Sequence, residues 1–343
     1  MAQSLAVKYR PKVFSELLGQ PIVAKILQRQ IETHNIAHAY LFAGNSGCGK
    51  TSCARLFANA INNGIGTPIE IDGASNNGVA NVRAILESAN QRALSGEYKI
   101  FIIDECHMIS TEGWNAFLKG IEEPAEYTIF MFCTTEPEKI PATILNRVQK
   151  YNIVKIATNT IKDRLAYICQ QEGFTNYEAA IDLISKASDG CMRDAIQSLD
   201  LCASLSKELT LDNTRAILGN ISYETMFKLT WALQTKDEGA IISIINNMYD
   251  NGQDLKTFVN SYLTFLLDLD NYAIFQNIEL TSIPGYLATS ENPVVQQTLK
   301  IDSPKVWLGK VVDMLLDLKL QIKYDTSLRN TIEAYLLRIC RSV

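Results

Sequence analysis

Short apolar runs alternate along the first 156 residues with segments whose apolar positions recur every three or four residues. His38-Ala-Tyr-Leu-Phe-Ala43, residues 69–72 (IEID), Tyr98–Asp104, Tyr127–Thr134 and Lys150–Ile156 have the length and composition of strands. Tyr98–Asp104 and Tyr127–Thr134 are apolar at nearly every position, the mark of strands covered on both faces. Ile22–Glu32, Ser52–Ile61, Val79–Leu94 and Thr111–Ile121 carry helical spacing, and Pro141–Arg147 predicts a short helix. Strands alternating with helices predict a parallel α/β sheet.

The pattern changes near Ala157. From there to about Asn220 it is helical, with Asp189-Gly190 as an internal break. A second shift falls around Gly219–Tyr223. Beyond it Glu224–Gln234, Glu238–Asn251, Leu255–Asn277, Lys305–Tyr324 and Thr326–Arg341 read as amphipathic helices. Ile278–Ser303, with Pro284, Gly285 and Pro293, reads as a polar, non-helical stretch. These shifts predict an α/β domain over 1–156, a small helical domain over 157–220 and an all-α domain over 221–343.

Composition narrows the class. A chain of 343 residues exceeds what one core normally holds. With 47% apolar and 20% charged residues it is globular rather than disordered. No apolar run approaches the ~20 residues that cross a bilayer, and MAQSLAVKYRPK lacks the apolar stretch of a secretory leader. A cytoplasmic location without membrane contact is the expectation. The net charge of −5 gives no global attraction to nucleic acid, so any such contact needs a local patch or several subunits acting together. The eight cysteines are scattered and form no C-x-x-C pair, which predicts reduced, buried thiols and no zinc.

The chemistry sits at the ends of the predicted strands. Gly44-Asn45-Ser46-Gly47-Cys48-Gly49-Lys50-Thr51 follows an apolar run and precedes a helical one, and has the full Walker A spacing. Its glycines let backbone N–H groups close around phosphate, and the following helix, with Ser52 in its first turn, aims its positive end at the same anion. Lys50 is expected to neutralise β- and γ-phosphate oxygens of ATP, and Thr51 to ligate Mg²⁺. Ile100-Phe-Ile-Ile-Asp104-Glu105 brings two carboxylates to the edge where ligands of open α/β sheets bind. Asp104 is expected to hold Mg²⁺ through water, and Glu105 to orient and deprotonate the attacking water. Phosphoryl transfer needs little beyond this positioning and charge neutralisation. A polar group near the γ-phosphate is expected from Thr134 or Thr135, and an arginine from Arg147 or Arg193.

Several stretches in a fixed order resemble the AAA+ clamp-loader ATPases of the bacterial DNA polymerase III gamma/tau family. They are Tyr9-Arg10-Pro11-Lys12 with Leu18-Gly19-Gln20, the phosphate loop, Glu70-Ile-Asp-Gly-Ala-Ser-Asn-Asn-Gly78, Asp104-Glu-Cys-His-Met108, Asn115-Ala-Phe-Leu-Lys119 with Glu122-Glu123-Pro124, and Thr134-Thr-Glu-Pro137. The similarity is strong over residues 5–200. Leu328-Arg329, Ile332-Glu333 and Leu336-Leu337 resemble the end of the family's collar. The resemblance implies an AAA+ P-loop domain with a parallel sheet, a helical lid and an all-α collar. It implies an adenine-side role for Arg10 and Pro11, sensor 1 at Thr135 and sensor 2 at Arg193. Arg147 is implied to reach into the ATP site of the next subunit.

Three departures stand out. Asn146 and Val148 flank Arg147 where the family has Ser and Cys. Asn62–Pro68 bridges the place of a four-cysteine zinc module, so no zinc is expected. The chain ends soon after the collar-like segment, which suggests a short gamma-type version. The implied partners are a sliding clamp, other clamp-loader subunits in a pentameric ring (homo- or hetero-oligomeric) and primer–template DNA, gripped through Asn76, Asn77 and Arg83. Two other readings share the motifs: another AAA+ motor of the Holliday-junction or helicase-loader type, and a scaffold that binds ATP without turnover.

Overall fold

The computed structural model describes residues 3–93, 95–217, 223–277, 281, 283, 292–299, 304–323, 325 and 327–342. The chain divides into two compact units, Met1–Leu211 and Asp212–Val343. Of the shift expected at Gly219–Tyr223 all but Tyr223, and most of the stretch 278–303, lie outside the described residues.

The first unit is built on five parallel strands: β1 (Ala39–Gly44), β2 (Ile69–Asp72), β3 (Lys99–Asp104), β4 (Thr128–Thr134) and β5 (Gln149–Ile153). Their order is β2-β3-β4-β1-β5. The period-2 alternation of side chains separates two cores. Tyr40, Phe42, Ile100, Ile102, Met131 and Tyr151 point to one face, against helices Pro21–Glu32 and Lys50–Ile61. Ala39, Leu41, Phe101, Ile103, Phe130 and Phe132 point to the other, against Val79–Ala89 and Thr111–Glu122. Both covered faces explain why β3 and β4 read as unbroken apolar runs.

Two elements stop earlier than their patterns predict, and both stops have a side-chain cause. β5 ends at Ile153 rather than Ile156 because Val154 leaves the ladder for Gln20. The Gln20 Nε2 donates to the Val154 carbonyl at 2.7 Å, and the Val154 N–H donates back to Oε1 at 3.2 Å. The helix from Val79 ends at Ala89, short of Leu94. Its last carbonyls, of Ser88, Ala89 and Asn90, accept from Lys99 Nζ, Thr128 Oγ1 and Tyr127 Oη at 2.6, 2.7 and 2.6 Å. The sheet's own leading residues thereby satisfy the helix end.

Helices Thr158–Glu172, Glu178–Ala187 and Met192–Leu205 follow the sheet in the same unit. The break between the last two is made by Asp189 and Gly190, both left-handed at φ +46° and +81°. The short N-terminal helix Leu5–Lys8 lies on Met192–Leu205, where the Leu5 N–H donates to Asp200 Oδ2 at 3.1 Å.

The regular elements described in the second unit are all helices: most of Leu211–Ile217, then Tyr223–Gln234, Glu238–Asp250, Leu255–Phe275, Pro293–Leu299, Pro304–Gln321 and Leu328–Ser342. Phe227, Phe258, Phe265, Leu315 and Leu336 share its core. Pro293–Leu299 corrects the expectation of an irregular stretch there. Pro293 opens a helix instead of breaking one, because a first-turn proline sacrifices no hydrogen bond. Asn292 Oδ1 accepts the Val294 N–H at 3.0 Å, and Val295 and Thr298 are buried one turn apart.

Candidate functional site

β1 runs straight into the phosphate loop, and the helix Lys50–Ile61 leaves it at once. The loop turns through Gly47 and Gly49, left-handed at φ +66° and +102°. Lys50 is buried, and its ammonium donates to the Asn45 carbonyl at 2.9 Å. On the neighbouring strand end, Asp104 Oδ2 accepts from Thr51 Oγ1 at 2.8 Å. The hydroxyl and the carboxylate expected to share a cation are therefore already in contact.

These groups open into a cleft of about 420 Å³, the size of an ordinary small-molecule site. Residues 46–52, Asp104, Glu105 and Arg193 line its polar end. Tyr9, Arg10, Pro11, Leu17, Leu18, Ile156 and Ile196 line the more apolar remainder. Gly44 and Asn45, expected to bind nucleotide, are not on its wall. A Cβ on Gly44 would meet the Ile153 carbonyl oxygen at 2.1 Å, so this glycine lets β5 approach β1.

Sequence motifs left Thr134 and Thr135 open, and the structure separates them. Thr134 is fully buried, its hydroxyl accepting the Glu136 N–H at 3.0 Å. Thr135 Oγ1 donates to Glu105 Oε2 at 3.3 Å. Glu105 itself is left-handed, at φ +46°, a conformation that is strained for a side-chain-bearing residue and concentrates at functional sites. Its N–H donates to Asp104 Oδ1 at 3.0 Å.

The two arginines part in the same way. Arg193 stands in the first turn of Met192–Leu205 and faces the cleft. Arg147 faces away from it. Its guanidinium lies 2.6 Å from Glu122 Oε1 and donates to the Thr143 carbonyl at 2.7 Å, half-exposed on the surface. Asn77 and Arg83 are also exposed, while the Asn77 carbonyl accepts the Ser110 N–H at 3.1 Å.

Arg164 was not singled out by any motif. Its guanidinium lies over the rings of Tyr9 and Tyr167, 5.9 and 5.1 Å from their centroids, and donates to the Tyr9 carbonyl at 3.1 Å. The Tyr9 hydroxyl and the Lys8 ammonium both donate to Glu172. Burial, reinforced by the Glu172 carboxylate, pushes the Tyr9 phenol up to about 12. The Lys8 and Tyr9 hydrogen bonds hold the Glu172 carboxyl below its ordinary value. The wall carrying Tyr9-Arg10-Pro11 is thus fastened to the helix Thr158–Glu172. All eight cysteines are buried and reduced, and burial raises the thiols of Cys48 and Cys191 that flank the loop, the latter to about 11.

Comparison with known proteins gives consistent findings. Residues 19–77 and 67–157 match the family described as DNA polymerase III, delta subunit. Residues 160–201 match the ATPase lid domain of the DNA polymerase III clamp loader subunit. The chain is 32% identical over 365 residues to DNA polymerase III subunit tau of Bacillus subtilis, covering 99% of this chain and 63% of that protein. It is 34% identical over 287 residues to the gamma/tau subunit of Mycobacterium tuberculosis, covering 76% and 50%. It therefore spans between half and two thirds of the length of these relatives. Among solved structures, the Holliday junction branch migration motor RuvB of Thermotoga maritima superposes with a TM-score of 0.51 at 20% identity. That match covers 66% of this chain and 80% of RuvB, and it supports a shared fold alone. With a P-loop sheet, a matching lid and relatives aligned over 76–99% of its length, the chain belongs to the DNA polymerase III gamma/tau family of clamp-loader ATPases.

Proposed function

We propose that this chain binds ATP with Mg²⁺ and hydrolyses it as a motor subunit of a sliding-clamp loader in DNA replication. The observation that carries the reading is the Thr51–Asp104 contact of 2.8 Å at the mouth of a cleft that also holds Lys50. A hydroxyl and a carboxylate at that spacing suit a hard divalent cation. Bound there, Mg²⁺ would neutralise charge on the phosphate oxygens.

The chain's own residues divide the rest of the work. Loop N–H groups and Lys50 hold the phosphates. Glu105 takes the proton of the attacking water, and Thr135 orients that carboxylate. Arg193 approaches the γ-phosphate from the helix Met192–Leu205. Arg147, turned outward, serves the nucleotide of a neighbouring subunit. Arg10 and Pro11, on a wall fastened through Arg164 and Glu172, receive the adenine side. Nucleotide contact with both the loop and the lid then favours one arrangement, which hydrolysis releases.

In this reading residues 1–156 are the P-loop domain, 157–220 the lid and 221–343 a collar. The partners are a sliding clamp, other loader subunits in a pentameric ring and primer–template DNA. Asn76, Asn77 and Arg83 contact DNA phosphates. The site needs no zinc, and the assembly works in the cytoplasm. Among the described residues no helix is long and apolar enough to cross a membrane.

The test is ATP turnover by the purified chain, alone and with clamp, partner subunits and primed DNA. Turnover should be strongest in the full mixture and be lost in Lys50→Ala and Thr51→Ala. Turnover that survives Lys50→Ala unchanged refutes the proposal.

A further inference from the structure

Beside the proposed catalytic carboxylate lies an imidazole that the scheme above does not use. His107 sits three residues after Asp104, in the single 3₁₀ turn Cys106–Met108, with its side chain only 8% exposed. Both ring nitrogens are engaged. Nε2 lies 3.1 Å from Glu136 Oε1. A carboxylate oxygen only accepts, so Nε2 carries a hydrogen. Nδ1 lies 3.2 Å from Thr134 Oγ1 and 3.4 Å from Glu105 Oε2, and by the same rule it holds that carboxylate by donating a hydrogen.

The Glu105 carboxylate is therefore held on one side only. Oε2 meets both the Thr135 hydroxyl at 3.3 Å and His107 Nδ1 at 3.4 Å. Oε1 makes no hydrogen bond among the described residues. An orientation of this kind leaves one oxygen free toward water while the other is clasped. The ring itself is not free to drift. Glu136 holds its far side, and Glu136 is in turn fixed by Lys139 Nζ at 2.8 Å.

We propose that His107 is a positioning residue for Glu105, and that Glu136 locks the imidazole in the orientation this requires. The proposal rests on the reading of Glu105 as the base for water attack. A line of contacts then runs from the base through His107 and Glu136 to Lys139 at the surface. A shift of the loop after β4 would reach the carboxylate by that route.

The experiment measures ATP turnover and ATP affinity of the full-length chain with its partner subunits, in His107→Ala, His107→Asn and Glu136→Gln. His107→Ala should lower kcat at least tenfold, with KM and ATP affinity within twofold of wild type, since the ring touches the base and not the phosphate cradle. His107→Asn, whose amide nitrogen occupies the place of Nδ1, should recover at least threefold over His107→Ala. Glu136→Gln should show a smaller loss in kcat of the same kind. In a Glu105→Gln background, His107→Ala should cause no further loss, because the group it positions is gone.

A kcat within twofold of wild type in His107→Ala overturns the proposal, whatever happens to its melting temperature. A loss that persists in full on top of Glu105→Gln overturns it too, as does a raised KM with kcat intact. Absence of Lys50-dependent turnover in the wild-type mixture refutes the proposed function and this inference together. Lys50-dependent turnover that stays within twofold of wild type in His107→Ala refutes this inference alone.

Discussion

Gly47→Ala gives the sharpest test of how the phosphate loop is built against the lid. Gly47 is left-handed at φ +66°, and a Cβ there would stand 1.9 Å from Cys191 Sγ and 3.4 Å from Arg193 Cβ. The backbone conformation alone costs a side-chain-bearing residue about 1–2 kcal/mol. A carbon–sulfur approach of 1.9 Å is far inside any van der Waals contact, so Cys191 and the helix start it caps must move. Overpacking of this kind costs about 1–3 kcal/mol. The sum is roughly 2–5 kcal/mol. Arg193 shares the displaced turn, so ATP affinity should fall at least tenfold. The assay is urea unfolding followed by Trp114 fluorescence, with Trp231 and Trp307, the other two tryptophans, replaced by Phe. Nucleotide titration runs alongside it. Cys191→Ala removes the sulfur and should return the steric part in the Gly47→Ala background. Alone, it should mildly destabilise, because Cys191 Sγ accepts the Asp194 N–H at 3.4 Å as a helix cap. If the two changes merely add, the lid does not press on the loop as described and the reasoning fails.

Other outcomes follow from the same geometry. Gln20→Ala removes both hydrogen bonds to Val154, an exposed residue whose freed groups can turn to water, and should cost about 0.5–1.5 kcal/mol for each bond, read by urea unfolding. Glu172 has a depressed carboxyl, so its clasp on Lys8 and Tyr9 is fully present above its ordinary value of 4.5. That clasp is lost as pH falls through the lowered value. Hydrogen exchange over residues 4–10 should therefore be flat from pH 7 to that value and quicken below it, relative to Glu172→Gln. Arg147→Ala should leave ATP affinity of the isolated chain within twofold, since the guanidinium sits on Glu122. In the assembled loader the same change should cut turnover by about 10³–10⁵.

How far the sequence reveals this arrangement depends on whether a feature is local. The apolar runs of β3 and β4, the phosphate loop and the pair Asp104-Glu105 are contiguous, and each was legible where it stands. Strand order was not, because it follows from packing between segments far apart in the chain. The early end of β5 depends on Gln20, separated from Val154 by 134 residues, and no periodicity records such a pairing. Thr134 and Thr135 are indistinguishable by composition. Only the pleat decides that the first is interior and the second faces Glu105. Arg164 carries no motif: Tyr167 is its neighbour one turn along the same helix, but Tyr9, which makes the contact informative, lies 155 residues away in the chain. Pro293 is ambiguous in sequence because a proline can mark either end of a helix, and Asn292 at the cap position is the local signal for a beginning.

The aromatic rings on both faces of the sheet carry a mechanical consequence. Tyr40 meets Phe57 edge-on at 5.0 Å, and Phe42 stacks on Tyr151 at 5.7 Å. On the opposite face Phe101 stacks on Phe130 at 5.5 Å, and Trp114 leans on Phe132 at 5.2 Å. Interiors so filled resist compression. In the proposed ATP cycle the sheet would serve as an anvil, keeping Thr51, Asp104, Glu105 and Thr135 at constant separations. Under that proposal, whatever bends when a phosphate bond breaks hangs from the sheet's edge, in the lead and the helices just beyond Ile156. Stiffness at the centre would then decide where the stroke occurs.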